Sequence, residues 1–190
     1  MSWWLGLDLG QASDFSALAC VEKTRSGCAV RHLERFANGT PYPAVVARVR
    51  DVVASPALTG CTLVPDATGV GRAVVDLLLE AGLAARVFPV TITAGRKVTS
   101  DGRGGANVPK KDLVAAVQAA LRDQRLEVAS SLPLAQVLVR ELETFTVKIT
   151  DAGNEKFGAD KDRSHDDLVL AVSLALWAAD NMRAEAADLP

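Results

Sequence analysis

The sequence predicts an α/β protein with a mixed central β-sheet flanked by helices. Three observations carry this prediction. The chain opens on two apolar segments of strand length, Trp3 to Gly10 and Asp14 to Val21, joined by a turn short enough for a hairpin. A strand, an aspartate, a glycine-rich turn and a helix then follow one another between Thr62 and Ala81, a unit typical of the carboxyl ends of strands in α/β sheets. Leu168 to Ala179 is almost wholly apolar, so as a helix it must lie across the core rather than on the surface.

The 190 residues suit one domain, residues 1–190, with room for a sizeable core. Apolar residues make up 49% and aromatic ones only 5%, so Leu, Val and Ala must fill that core. A net charge of −2 excludes a strongly basic nucleic-acid binder, and any polyanion has to be met by a local basic patch. The three cysteines, Cys20, Cys28 and Cys61, are odd in number and irregularly spaced, as reduced cytoplasmic thiols are. There is no run of 18 apolar residues for a membrane span, and no basic leader for secretion. No GxxxxGK[ST] loop is present, which excludes ATP hydrolysis by that route.

Each element can be justified in order. The first strand, Trp3 to Gly10, ends on Asp8, and a carboxylate in an apolar run is costly unless a cation sits beside it, although an Asp serving only the turn fits the same pattern. Ala29 to Phe36 alternates as a half-exposed third strand, and Tyr42 to Ala54 places Val45, Val46, Val49, Val52 and Val53 at helical spacing. Thr62 to Asp66 is a short buried strand. It is followed by Gly69 and Gly71 and by a helix from about Arg72 to Ala81 that Gly82 stops, though a plain βα loop reads the same way. Ala85 to Thr91 is a further buried strand. Thr93 to Asn107 is the least regular stretch, with four glycines and the basic residues Arg96, Lys97 and Arg103; it suits an Asp101-Gly102 hairpin, a phosphate-contacting loop or a solvated one. Val108 to Asp112 opens a helix through Pro109, with Leu113, Val114, Val117, Ala120 and Leu121 as its stripe. Leu126 to Val128 is extended. Leu132 to Phe145 is an amphipathic helix that buries Leu134, Val137, Leu138 and Leu142 and exposes Arg140, Glu141 and Glu143. Thr146–Ile149 and Glu155–Phe157 form a hairpin about the turn at residues 151–154. Ser164 is the expected N-cap of the last helix, with Asp167 three residues on. One of Asp166 and Asp167 is accounted for by the helix dipole; two are more than it needs.

Asp8, Asp66 and the Asp166/Asp167 pair share one design. Each lies where the sheet or the buried helix meets solvent, 58 and 100 residues apart in the chain. Carboxylates brought together repel, so a cluster of them calls for cations, and hard oxygen ligands suit Mg²⁺ or Mn²⁺. Two such ions about 4 Å apart activate a water and stabilise a leaving oxygen in phosphodiester hydrolysis.

At these residues the chain resembles the ribonuclease H-like fold, and more narrowly the nuclease domain of the large terminase subunit of tailed bacteriophages. The likeness rests on Gly6-Leu7-Asp8-Leu9-Gly10 with Asp14-Phe15-Ser16-Ala17, on Pro65-Asp66-Ala67-Thr68-Gly69-Val70-Gly71, on Val108 to Val114, and on His165-Asp166-Asp167-Leu168 through Ala171. It implies an endonuclease that cuts concatemeric viral DNA during packaging, in the cytoplasm of a bacterial host. It also implies two divalent cations, Mg²⁺ or Mn²⁺, on Asp8, Asp66 and Asp166, with Asp167 as an additional ligand. Double-stranded DNA would be met by Arg96, Lys97, Arg103, Lys110 and Lys111. The expected protein partners are a separate terminase ATPase, the small terminase subunit and the portal. Large terminases carry an ATPase motor ahead of the nuclease and this chain shows none, so it is expected to be an excised domain, a split subunit or a stand-alone relative. Within the same fold, a Holliday-junction resolvase-like enzyme and a non-catalytic DNA-binding or assembly module are the alternatives. An actin-like ATPase also begins with a Gly-Leu-Asp-Leu-Gly strand, but 190 residues leave no room for its second half.

Overall fold

β1 (Ser2–Asp8), β2 (Ala17–Lys23) and β3 (Cys28–Arg35) form an antiparallel meander, with Asp8 opposite Ala17 and Ala17 opposite Arg35. The computed structural model describes residues 2–10, 14–144, 146–149, 155–158 and 166–182. α1 (Tyr42–Val53) follows the meander, and β4 (Thr62–Pro65) then returns parallel to β1 on its free side. α2 (Gly71–Glu80) leads to β5 (Arg86–Val87), which is parallel to β4, and Gly82, at φ +60°, ends α2 as expected.

The single strand expected over Ala85–Thr91 is divided. β5 stops at Val87, and β6 (Val90–Thr93) belongs to a different sheet. Pro89 lies at the break, where it has no N–H to continue a ladder and its carbonyl accepts from Ala106. The stretch from Thr93 to Asn107 resolves as a hairpin: β7 (Thr99–Ser100) is antiparallel to β8 (Ala106–Pro109), which itself runs parallel to β6. Gly102 and Gly104 supply the positive φ of its turn, and the Asp101 carboxylate accepts the Arg103 and Gly105 amides at 2.8 Å each.

α3 (Lys110–Arg122) starts directly from β8, and β9 (Leu126–Val128) adds parallel to β3, completing the main sheet in the order β5-β4-β1-β2-β3-β9. α4 (Ala135–Thr144) begins three residues later than the periodicity suggests, because Leu134 takes φ +67° and ends the preceding turn. Glu141, expected on the exposed face of α4, is buried. β10 (Thr146–Ile149) pairs with β11 (Glu155–Gly158); the turn at residues 151–154, Phe145 and Ser164 lie outside the described residues. α5 (Asp167–Asn181) has Asp166 at its N-cap position instead of Ser164, with no side-chain capping bond.

The sheet has a core on each face. Leu5, Leu7, Leu18, Cys20 and Leu63 pack with Val45, Val49, Val74 and Leu78 of α1 and α2. Trp4, Ala17, Ala19, Val21 and Val64 pack with α5, which α3 and α4 cover in turn. That double cover explains why α5 is apolar all round, and each of its fully buried leucines contributes about 1.5–3 kcal/mol. Gly6 is what lets α5 lie against β1: a Cβ there would stand 1.8 Å from the Ala171 carbonyl oxygen. No helix among the described residues is long and apolar enough to cross a membrane.

Candidate metal centre

Strand alternation decides which way the carboxylates face. Trp4 packs on the α5 side of β1 and Leu5 and Leu7 on the other, so Asp8, in phase with Trp4 and Gly6, leaves the strand end on the α5 side. In β4, Val64 packs on the same side, and Asp66 follows it in phase. The two strands are parallel and in register there, with the Asp66 amide donating to the Leu7 carbonyl at 2.8 Å. Their carboxyl ends therefore deliver Asp8 and Asp66 side by side, where α5 brings in Asp166 and Asp167 at its first turn.

Their electrostatics show that the four share one region. Asp8 is buried, and its carboxyl is held well above the usual 3.8 by burial first and then by the charges of Asp66, Asp167 and Asp166, with Lys110 opposing. Asp66 is raised by burial too, against the pull of Thr68, whose amide donates to Oδ1 at 2.8 Å, and of Lys110. The Lys110 ammonium at the start of α3 lies 3.5 Å from Asp166 Oδ2. Asp167 is buried, with Oδ2 3.5 Å from Arg35 Nη2 at the end of β3. Asp167 is also the acidic residue in the first turn of α5, where the helix dipole favours its charge.

Among the described residues, no three His, Cys, Asp or Glu side chains are arranged to hold a metal ion as they stand, with Asp166 beside Lys110 and Asp167 beside Arg35. The donor set nonetheless fits a hard divalent cation: it is all carboxylate oxygen, and its negative charge exceeds what Lys110 offsets at Asp8. The thiols do not compete. Cys20 and Cys61 are buried in the core, with their pKa values pushed up to about 12 and about 11.

The expected DNA-binding residues divide into two groups. Arg96 and Lys97 are exposed between β6 and β7, and Arg103 is exposed in the turn from β7 to β8. Lys110 and Lys111 open α3, one strand further on, and Lys110 faces the carboxylates. The small sheet, whose connections carry Arg96, Lys97 and Arg103 and whose strand β8 runs into α3, is tied to the candidate metal centre, because Asp66 bridges to Val90 and Ala67 donates to the Val90 carbonyl at 2.8 Å.

Sequence reasoning missed Arg35 and Glu141. Glu141 Oε1 accepts from Arg35 Nη2, and Oε2 accepts the Leu168 and Val169 amides of α5 at 3.0 and 3.2 Å. Only its position was legible: Glu141 falls three residues after the buried Leu138, on the apolar stripe of α4.

Residues 5–179 match the family described as the terminase RNaseH-like domain. No match was found among the curated proteins. The large terminase nuclease from thermophilic phage G20c is 25% identical and superposes with a TM-score of 0.69, covering 92% of this chain and 80% of its own; its magnesium-bound structure gives the same figures. The human cytomegalovirus terminase nuclease domain, 15% identical, shares the fold at a TM-score of 0.60, over 95% of this chain and 84% of its own. The large terminase of a further thermophilic bacteriophage, 9% identical, shares it at 0.65, over 91% of this chain and 38% of that longer one.

Proposed function

The chain belongs to the terminase RNaseH-like domain family, and on that premise we propose that it is a metal-dependent DNA endonuclease that cuts concatemeric phage DNA during genome packaging. Asp8, Asp66 and Asp166 are the residues that would hold two divalent cations, Mg²⁺ or Mn²⁺, with Asp167 adding its charge beside them. Bound there, the cations supply an activated water and charge stabilisation of the leaving oxygen. Asp8 and Asp66 accept that load from adjoining strand ends, which cannot move apart without breaking the β1–β4 ladder. Lys110, beside Asp166, orients a phosphate oxygen of the strand to be cut, while Arg96, Lys97, Arg103 and Lys111 hold flanking phosphates and fix the duplex's register. Double-stranded DNA is the substrate, and the protein partners on this reading are a terminase ATPase, the small terminase subunit and the portal.

One observation carries the proposal: distant parts of the chain bring Asp66, Asp166 and Asp167 within electrostatic reach of the buried Asp8. The direct test is incubation of supercoiled plasmid with the protein and Mn²⁺, Mg²⁺ or chelator. Nicked and linear DNA with either metal and none with chelator is the expected result. A folded protein that cuts under no metal condition refutes the enzymatic reading.

A further inference from the structure

Arg35 stands between two buried carboxylates. Its Nη2 donates to Glu141 Oε1 and lies 3.5 Å from Asp167 Oδ2, so one nitrogen is shared by two acceptors of like charge. The guanidinium is confined, with its Cζ 5.1 Å from the centre of the Phe15 ring and its side chain 18% exposed. Glu141 is fixed more firmly, because its second oxygen is occupied by the Leu168 and Val169 amides. The backbone that anchors Glu141 is therefore the helix turn that carries Asp166 and Asp167.

We propose that Glu141 is a positioning residue of the metal centre: by holding Arg35, it limits how much of that cation's charge Asp167 receives and keeps Asp167 negative toward the cation site. The proposal rests on the reading of the centre as a divalent-cation site. Glu141, Arg35 and Asp167 together carry one net negative charge. Without the Glu141 charge they carry none, and the fork-shaped guanidinium is left to close on Asp167, where a paired geometry is its strongest arrangement. The aspartate cluster then presents one charge fewer to an incoming cation. A Glu141 that served only to cap α5 would act through the helix amides alone, and the charge on Arg35 would not matter to it.

Two variants of the full chain separate these roles by calorimetric titration with Mn²⁺, with metal-free melts to establish folding. Glu141→Gln keeps a carbonyl oxygen for the Leu168 and Val169 amides but releases Arg35, and Mn²⁺ affinity should fall about tenfold, the scale of lost outer-shell partners at metal sites. Adding Arg35→Met removes the competing charge together with its holder, and affinity should return to within about threefold of wild type. A double variant that binds as weakly as Glu141→Gln, or more weakly, overturns the proposal. So does unchanged affinity in Glu141→Gln when wild type binds Mn²⁺. If the single variant does not fold, the double variant is read against wild type, and an affinity more than about threefold weaker overturns the proposal. Wild type that binds no Mn²⁺ overturns the cation site itself, and this inference falls with it.

Discussion

Replacing Gly6 with alanine probes the contact that sets the distance between Asp8 and α5. The new Cβ would stand 1.8 Å from the Ala171 carbonyl oxygen, 2.8 Å from its carbon and 3.1 Å from the Ala175 nitrogen. Carbon–oxygen contacts ordinarily begin near 3.3 Å, so α5 would have to withdraw by about 1.5 Å. All three atoms are backbone, and no rotamer change relieves them. The cost belongs at the upper end of the ~1–3 kcal/mol typical of overpacking. For a domain of this size about 3 kcal/mol lowers the melting temperature by roughly 6–12 °C. The retreat also carries Asp166 and Asp167 away from Asp8, and a misplacement of about 1 Å can cost about 100-fold in rate. Melts in chelator and plasmid cleavage at saturating Mn²⁺ measure the two effects separately. Gly95→Ala is the control: its Cβ would meet the Thr93 hydroxyl at 3.2 Å on an exposed turn, and stability should stay within about 0.5 kcal/mol. A Gly6→Ala protein that melts within about 2 °C of wild type and cuts at its rate refutes the reasoning.

Asp8→Asn, Asp66→Asn and Asp166→Asn should each abolish cleavage, and the Asp8 variant should change the pH dependence of the metal-free protein. The folded-state pKa of Asp8 is raised, so its ionisation costs stability as pH climbs from the ordinary carboxylate value of 3.8 through the raised one. Urea midpoints in chelator across that range should fall more, or rise less, with pH in wild type than in Asp8→Asn; equal slopes would remove the buried-charge account. Mn²⁺ at about 100 times its dissociation constant should stabilise wild type by about 2.7 kcal/mol and the three variants less, read as melting shifts. Charge reversal at Lys97 and Arg103 should reduce the salt slope of DNA binding by about one for each phosphate no longer neutralised, and an unchanged slope would place the duplex elsewhere.

Asp8 and Asp66 could be found in the sequence because burial makes a carboxylate conspicuous: each closes an apolar strand. α5 was legible for a similar reason, as no surface helix tolerates Leu168 to Ala179. The split at Pro89 was not, since Ala85 to Thr91 reads as one apolar run and periodicity does not report which sheet a strand joins. The helical setting of Glu141 is legible and its burial is not. A charged residue on a stripe is ordinarily an exception to the stripe, and only the partner on β3, more than a hundred positions earlier, shows why it belongs there. Lys110 reads as a phosphate contact, and its ion pair with Asp166 depends on how β8 hands over to α3.

The central position of α5 bears on how this protein is made. Ribosomes deliver the sheet first and this helix after every other helix and strand described. Until α5 emerges, Trp4, Ala17, Ala19, Val21 and Val64 have no cover on one face, and a nascent chain in that state offers chaperones and neighbouring chains a bare apolar surface. The same order of synthesis delays the chemistry. Asp8 and Asp66 can be in place early, but Asp166 and Asp167 arrive with the helix that seals the core. On the proposed reading, a nascent chain that has not yet delivered α5 lacks Asp166 and Asp167, and with them part of the set that would hold the cations.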